Sequence, residues 1–258
     1  SSAAPLSFAA AVNRGIRRAR YSHVCLLNND MRLRAGFFAP LAAAFEKVPE
    51  LFAATAQILF PEGERRQETG KAVKPVRTGY AGTDFPLWCN EPIEGEDLSY
   101  VLYGSGGCSL YDARKMEELG GFDEGYAPAY VEDLDVGFRA WRRGWPTVFV
   151  AGARVVHQHR ATTSRFHAAD ALDRILERNY LRFLARGVAT PAVFGELWRE
   201  ALGRLNRMAA SEPPSKVAMS ALRRAWLAPF WLRRPERAAL DDRGVFALGS
   251  GEVAVFAG

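Results

Sequence analysis

Apolar residues in the first quarter of the chain follow two different spacings. At 7–20 and 34–48 they recur every three or four positions, which predicts two helices, the first capped by Ser7. Two continuous apolar runs, at 23–27 and 51–60, have the length and composition of buried strands with helices on both faces of a sheet. Strands that alternate with helices in this way predict an α/β layer structure.

The middle of the chain has a weaker pattern. Residues 61–90 are polar and contain glycine, so we expect a long loop or a loose hairpin there. Beyond that segment the pattern predicts a strand pair or bent strand at 98–111, helices at 112–119 and 131–143, and short strands at 147–150 and 154–157.

The last third of the chain is helical in pattern until its final residues. Helices are predicted at 168–186, 193–208 and 215–227, followed by a β-hairpin at 244–256 that turns at 249–251. The resulting division is a core at 1–165, a helical appendage at 166–240 and a terminal hairpin at 241–258.

Composition and charge add a preference for an anionic partner. The 258 residues are 48% hydrophobic and 24% charged, as in an ordinary globular protein with one sizeable core. The net charge of +5 is uneven, because carboxylates dominate between Glu46 and Asp135 and arginine is dense from Arg139 to Arg243. This asymmetry favours a phosphate-bearing ligand or a lipid surface, although a solvated basic helix face explains it equally well.

The three cysteines and the lengths of the apolar runs narrow the class of protein. Cys25, Cys89 and Cys108 lack CxxC spacing, so neither a disulfide framework nor a thiolate zinc site is indicated. No run reaches the ~18 apolar residues of a membrane span. We therefore expect a cytoplasmic location, with peripheral attachment at the inner face of the plasma membrane as an extension of that expectation.

Three polar clusters carry the candidate chemistry, and the first follows a predicted strand. Asn28, Asn29 and Asp30 come directly after the apolar run at 23–27. Ligands of open α/β sheets bind at the carboxyl ends of strands, so Asp30 is well placed to bind Mg²⁺ or Mn²⁺. An Asx turn, in which these side chains bond their own backbone, is the structural alternative.

The second and third clusters lie on either side of a predicted helix. Glu132 and Asp133 open that helix, where acids also complement the helix dipole, and at most one of them is expected to face a reacting atom. His157 and His159 share one face of an extended segment, as a pair of ligands or as ordinary structural histidines. Asp135 and Arg139 form a helical i,i+4 pair that we interpret as structural.

The order of these motifs resembles one family. The run from Asn13 to Ile16, LLNND at 26–30, GGFDE at 120–124, EDLDVGFRAWRRG at 132–144 and VVHQHRATTS at 155–164 resemble the inverting family-two nucleotide-sugar glycosyltransferases. Bacterial members that add rhamnose, galactofuranose or similar sugars to cell-surface polysaccharides are the most similar. The resemblance covers about residues 7–180 and implies a GT-A fold, a mixed sheet flanked by helices.

The resemblance also implies roles for individual residues. Asp133 matches the general base, Asp30 the last acid of a metal-binding triplet, and His157 a histidine that helps to hold the metal. The triplet here is Asn28-Asn29-Asp30, so Asn28 replaces the first acid. Further candidates for the acceptor and substrate side of the site are Glu132, Gly106, Gly107, Trp88, Asn29 and His159.

The activity implied is the transfer of a sugar from a nucleoside-diphosphate sugar to a hydroxyl of a cell-surface glycan or lipid-linked acceptor, with Mn²⁺ or Mg²⁺ as cofactor. Family members carry a nucleotide-binding unit ahead of the first of these motifs, and it is not found in these residues. We therefore expect a fragment that binds donor poorly by itself. A non-catalytic glycan- or membrane-binding relative is the main alternative. A metal-dependent phosphate-transfer enzyme or hydrolase explains the acids and histidines but not the motif order.

The segment 215–237 interleaves aromatic and aliphatic residues with arginines. That composition suits a helix lying in the interface of an anionic membrane. Pro229 interrupts the helix, and a helix that packs on the core would have a similar pattern. Nucleic acid is not an expected partner, because no recognised binding module accompanies the arginines.

Overall fold

The computed structural model describes residues 6–61, 98–157, 169–231 and 238–249. The predicted loop at 61–90 lies almost entirely outside these ranges, as do Trp88 and His159. Cys89 and the last part of the predicted hairpin also lie outside them.

The centre of the fold is a mixed sheet. Its six strands are β1 His23–Leu27, β2 Met31–Leu33, β3 Ala53–Leu59, β4 Leu98–Val101, β5 Cys108–Asp112 and β6 Thr147–His157. The strands follow the order β1-β5-β3-β6-β2, and β4 pairs separately with β6. β3 and β6 are parallel, and β5 runs antiparallel between β1 and β3. The carboxyl ends of β1, β3 and β6 therefore meet at one edge of the sheet.

Two strand predictions differ from the structure. The short strands expected at 147–150 and 154–157 are one strand, β6, whose register with β3 shifts between Ala56 and Gln57. The expected strand pair at 98–111 is two strands that do not pair with each other, since β4 pairs with β6 and β5 with β1 and β3. Sequence pattern shows strand character, but the partner of a strand is decided by contacts far along the chain.

Helices cover the sheet and continue beyond it. They are α1 Phe8–Ile16, α2 Phe38–Lys47, α3 Ala113–Glu118, α4 Glu132–Arg142, α5 Ala169–Gly187, α6 Pro191–Ala209, α7 Lys216–Ala225, α8 Ala228–Trp231 and α9 Asp242–Gly249. The hydroxyl of Ser7 accepts a hydrogen bond from the Ala10 amide at 3.3 Å, as its predicted capping role requires.

The predicted terminal β-hairpin is wrong over its first part, because Asp242–Gly249 is the helix α9. Asp242 is buried, and its Oδ2 accepts hydrogen bonds from the Ala189 and Thr190 amides. Phe246 packs on Phe138 with ring centroids 5.2 Å apart. These contacts connect residues 50 or more positions apart, so the short apolar run at 245–248 did not reveal them.

The C-terminal helices pack directly on α4. Phe138 is fully buried and meets Phe183 of α5 edge to face, with ring centroids 5.3 Å apart. Burying aromatic side chains of this size stabilises the contact by about 1.5–3 kcal/mol for each side chain. Tyr180, also fully buried, belongs to the same hydrophobic cluster. None of the helices within the described ranges is both long and apolar enough to cross a membrane.

Candidate active site

Residues 28–30, which form the turn between β1 and β2 and are called the acidic turn below, meet His157 at the edge where β1, β3 and β6 end. β1 ends at Leu27, and β2 begins at Met31 opposite His157 on β6. This register places Asp30 beside His157, with Oδ1 of the carboxylate 3.3 Å from Nε2 of the imidazole. Two residues separated by more than a hundred positions are thus brought together by one pair of strands.

Gly106 and Gly107 connect this turn to Asp133. The Gly106 amide donates a hydrogen bond to Oδ2 of Asp133 at 3.3 Å, and the carbonyl of Gly107 accepts one from the Asn28 amide at 2.8 Å. A Cβ at Gly107 would lie 2.5 Å from Nδ2 of Asn28. A side chain at 107 would therefore force the Asn28 side chain to move.

Asp133 lies in the first turn of α4, after two residues with left-handed backbone. Tyr130 has φ 75° and Val131 φ 76°, a conformation that is costly for a β-branched residue such as valine. Such strain persists only where surrounding contacts fix the backbone. The left-handed turn leads directly into Glu132 and Asp133 at the N-terminus of α4, where unpaired amides and the helix dipole favour negative charge.

Asn179, on α5, supplies the contacts that fix this turn. It is fully buried, and its Nδ2 donates to the carbonyls of Tyr126, Ala129 and Tyr130 at 2.7, 2.9 and 2.9 Å. The neighbouring Arg178 donates to the carbonyl of Ala127. Sequence reasoning missed both residues, because a polar residue in a helix is usually on its surface and the partners lie about 50 positions away.

Burial controls the protonation of the two acids. Burial raises the pKa of Asp133, while hydrogen bonds from the Gly106 and Leu134 amides oppose that shift. Burial also raises the pKa of Glu132, and the neighbouring charge of Asp133 raises it further. An aspartate with a raised pKa holds a proton more strongly than a surface aspartate, which suits a group that must accept one.

Glu132 and Asn29 have contrasting positions. Glu132 is 5% exposed, and its Oε2 has no hydrogen-bond partner among the described residues. Asn29 is exposed to solvent at the tip of the acidic turn. The contacts described above join six of the predicted residues into one region, with Glu132 next to it in the chain: Asn28, Asp30, Gly106, Gly107, Asp133 and His157.

Asp135 and Arg139 form the ion pair that the helical spacing predicts. Nε of Arg139 lies 2.7 Å from Oδ2 of Asp135, and the other guanidinium nitrogens donate to the carbonyls of Leu119 and Gly121 at 2.7 and 2.8 Å. Tyr126 donates to the same carboxylate at 3.1 Å. This network links α4 to the GGFDE segment.

Asp30 and His157 have the chemistry to hold a divalent cation. Oδ1 of Asp30 is buried, and apart from the 3.3 Å approach of the His157 imidazole it has no hydrogen-bond partner in the described part of the chain; a cation between the two side chains would satisfy it. A carboxylate oxygen and an imidazole nitrogen suit Mn²⁺, and a metal that binds a nucleotide takes further ligands from its phosphates. Among the described residues no group of three or more His, Cys, Asp or Glu side chains could hold a metal. Asp30 and His157 could thus supply two of the ligands of such an ion.

The comparisons with known proteins identify the family. The family model "Glycosyltransferase like family 2" matches residues 2–175, more than half of the chain, and the chain belongs to this family. It is 28% identical over 151 residues to the N-acetylglucosaminyl-diphospho-decaprenol L-rhamnosyltransferase of Mycobacterium tuberculosis. The aligned residues cover 55% of this chain and 48% of that protein.

A second curated relative is the O-antigen biosynthesis protein RfbC of Myxococcus xanthus. The chain is 28% identical to it over 174 residues, which is 66% of this chain and 13% of that protein. The chain thus spans about half the length of the first relative and a small part of the second.

Solved structures confirm the predicted fold class. The structure of GalNAc-T7 with UDP, GalNAc and Mn²⁺ matches with a TM-score of 0.52 and 15% identity, covering 71% of this chain and 35% of that one. The structure of S. aureus TarS 1–349 matches with a TM-score of 0.50 and 9% identity, covering 86% of this chain and 60% of that one. The fold is a GT-A-like mixed α/β sheet flanked by helices, followed by further helices at the C-terminal side.

Proposed function

We propose that this chain is the part of a nucleotide-sugar glycosyltransferase that binds the acceptor and removes its proton. The sugar is transferred with inversion at the anomeric carbon. The observation that carries the proposal is the position of Asp133. Its carboxylate lies at the N-terminus of α4 and accepts a hydrogen bond from Gly106, in the stretch that packs against Asn28 two residues before Asp30. The rhamnosyltransferase relative supports this class of reaction.

The chemical step needs a base because a sugar hydroxyl is a poor nucleophile at neutral pH. Asp133 accepts the hydroxyl proton as the acceptor oxygen forms its bond to the anomeric carbon, and the bond from that carbon to the nucleoside diphosphate breaks. Attack from the face opposite the leaving group inverts the anomeric centre in one displacement. The raised pKa of Asp133 increases its affinity for that proton.

Asp30 and His157 would hold the divalent cation, Mn²⁺ or Mg²⁺, on the donor side of the site. When bound, such an ion supplies Lewis-acid stabilisation of the negative charge on the leaving diphosphate. The Mn²⁺ and UDP in the GalNAc-T7 structure support this assignment. Asn28 and Asn29 add neutral amide groups beside the ligands, so the protein contributes a single carboxylate from this turn.

The substrates are proposed from the relatives' names. TarS has been solved with UDP-GlcNAc, which supports a nucleoside-diphosphate sugar as donor. The M. tuberculosis relative is named for an acceptor sugar joined through a diphosphate to decaprenol, which supports a lipid-linked glycan as acceptor. Trp88 and His159, outside the described residues, and the pair Gly106 and Gly107 remain candidates for contacts with these substrates.

The test is nucleoside-diphosphate release by the full-length protein that contains these residues, with Mn²⁺, a panel of nucleotide sugars and a lipid-linked acceptor. Asp133→Asn should lower acceptor-dependent release by about 10²–10⁴-fold, because the base is lost while the shape of the side chain is kept. Glu117→Gln, an exposed acid on α3, is the matched control and should leave the rate unchanged. Release that does not depend on Asp133 would refute its assignment as the base.

A further inference from the structure

One face of α5 carries arginine at every fourth position, at 174, 178, 182 and 186. The last two share a carboxylate, because Nη2 of Arg186 lies 2.9 Å and Nη2 of Arg182 lies 3.6 Å from Oδ2 of Asp123. Arg182 also lies over the ring of Tyr126, 5.4 Å from its centroid. The C-terminal half of the stripe thus has a carboxylate partner within the protein.

The N-terminal half of the stripe lines a groove. The groove lies between α5 and α7 and has a volume of about 280 Å³, with Ala171, Arg174, Ile175, Arg178, Ser220 and Arg224 as its lining. None of these lining residues is acidic. We name this site the arginine groove.

Three guanidinium groups around one groove repel one another. Burial lowers the pKa of Arg178, and the positive charges of Arg224 and Arg182 lower it further. Like charges at i,i+4 on a helix are destabilising, and Arg174 and Arg178 have this spacing. An anion in the groove would remove that repulsion, and guanidinium groups bind phosphate oxygens with paired hydrogen bonds.

The arginine groove adjoins the turn that leads to the base. Arg178 donates to the carbonyl of Ala127 as well as lining the groove, and its neighbour Asn179 donates to the carbonyl of Tyr130 at 2.9 Å. Glu132 and Asp133 begin two residues after Tyr130. The groove is therefore joined through Arg178 and Asn179 to the backbone that leads to the base.

The surface that follows Arg224 along the chain is apolar. Trp226 and Phe230 are 68% and 76% exposed, and their rings meet edge to face with centroids 6.3 Å apart. An exposed pair of large aromatic side chains marks a binding surface for an apolar partner more often than an isolated one does. A lipid-linked diphosphate presents both features, a doubly charged group and an adjoining hydrocarbon chain.

We propose that the arginine groove binds the diphosphate of a lipid-linked acceptor and so orients its sugar toward Asp133. This inference rests on the proposed function and names the acceptor group that the chain recognises. Arg174 and Arg224 would bind the phosphate oxygens, with the Ser220 hydroxyl as a further donor. Arg178 would contribute its remaining donors while staying bonded to the Ala127 carbonyl.

The test compares two double variants of the full chain. Arg174→Gln with Arg224→Gln removes two charges from the groove, whereas Arg207→Gln with Arg223→Gln removes two exposed charges that do not line it. Calorimetry with inorganic diphosphate should show at least about tenfold weaker binding for the groove variant and less than about twofold for the control. Equal losses in both variants would mean non-specific charge attraction and would overturn the proposal.

Kinetics and vesicle binding identify the source of the diphosphate. In the full-length enzyme, the groove variant should raise KM for a diphosphate-linked lipid acceptor and leave turnover of an alkyl-linked, phosphate-free acceptor sugar unchanged. If instead the variant loses only binding to phosphatidylglycerol vesicles, the groove recognises membrane headgroups and the proposal is wrong. Turnover of the phosphate-free acceptor reports the proposed function separately, because it should still depend on Asp133.

Discussion

The side-chain amide of Asn179 lies 2.9 Å from the carbonyl oxygen of Tyr130, and this hydrogen bond joins α5 to the turn that precedes Asp133. The turn is strained, since both Tyr130 and Val131 have left-handed backbone. A helix beyond the sheet therefore fixes the backbone from which the proposed base projects. Positioning of this kind matters, because catalytic groups must be held close to their productive geometry.

Replacing Asn179 should damage both stability and turnover. Asn179→Ala leaves three carbonyls in or near the core without their donor, at a cost of about 1–3 kcal/mol in the free energy of unfolding. We expect urea denaturation to show this loss, and acceptor-dependent kcat in the full-length enzyme to fall more than KM changes. Asn206→Ala is the matched control, because Asn206 is exposed on α6.

Asn179→Asp separates hydrogen bonding from shape. The carboxylate keeps the size of the side chain and the acceptor that Arg178 uses, but it has no hydrogens to donate to the three carbonyls. It should therefore also be less stable than the wild type. An Asp variant with wild-type stability and wild-type kcat would show that these hydrogen bonds do not position the turn.

The two helix glycines Gly137 and Gly195 should respond in opposite directions to alanine. A Cβ at Gly137 would lie 2.6 Å from Cβ of Tyr103 and 2.7 Å from the carbonyl oxygen of Leu102, so α4 would have to move. We expect Gly137→Ala to lower the free energy of unfolding by about 1–3 kcal/mol.

Gly195, on α6, has open space where a Cβ would lie, with no atom within 4 Å, so alanine should raise helix stability there by about 0.5–1 kcal/mol. Thermal unfolding of the two variants checks the pair. A Gly137→Ala variant as stable as the wild type would mean that α4 does not need the close approach to Leu102 and Tyr103.

The sequence predicted which polar residues lie together better than it predicted the contacts that fix them. Asp30 and His157 were expected to act together, and the pairing of β2 with β6 brings them within 3.3 Å. Their role as metal ligands stays a prediction. Asn179 was missed because its partners, the carbonyls at 126, 129 and 130, are backbone groups and have no sequence signature.

The helix α9 shows a second reason for a missed element. Residues 245–248 form a short continuous apolar run between two glycines, and such a run suits a strand or a buried helix equally. Val245 is fully buried, and Asp242 accepts hydrogen bonds from the amides of Ala189 and Thr190, just before α6. Contacts of this range decide between two local conformations that the pattern alone leaves open.

Glu132→Gln should stabilise the protein increasingly as pH rises. Burial and the charge of Asp133 raise the pKa of Glu132 in the folded state above its unfolded value of about 4.3. Below that unfolded value the acid is protonated in both states and the variant should match the wild type. Above it the wild type must either retain a proton or bury a charge, so its stability falls with rising pH by a contribution that the glutamine variant lacks.

Urea unfolding of wild type and Glu132→Gln at pH 4 and pH 8 measures this difference. Glu117→Gln serves as the control because Glu117 is exposed. The difference in free energy of unfolding between this variant and the wild type should be nearly the same at both pH values. A Glu132→Gln variant that is less stable at pH 8 than at pH 4, relative to the wild type, would contradict the raised pKa.

Removal of either proposed metal ligand should weaken Mn²⁺ binding in the presence of a nucleoside diphosphate. Outer contacts to metal ligands are typically worth about 10–100-fold in affinity, so we expect Asp30→Asn or His157→Gln to cost at least about tenfold. His23→Gln is the matched histidine control, because His23 is exposed at the start of β1 and packs on Phe45 at the opposite end of the sheet. The full-length protein is titrated with Mn²⁺ and the free ion is followed by its paramagnetic resonance, which reports binding without turnover. Wild-type affinity in both ligand variants would remove Asp30 and His157 from the metal site while leaving the assignment of Asp133 intact.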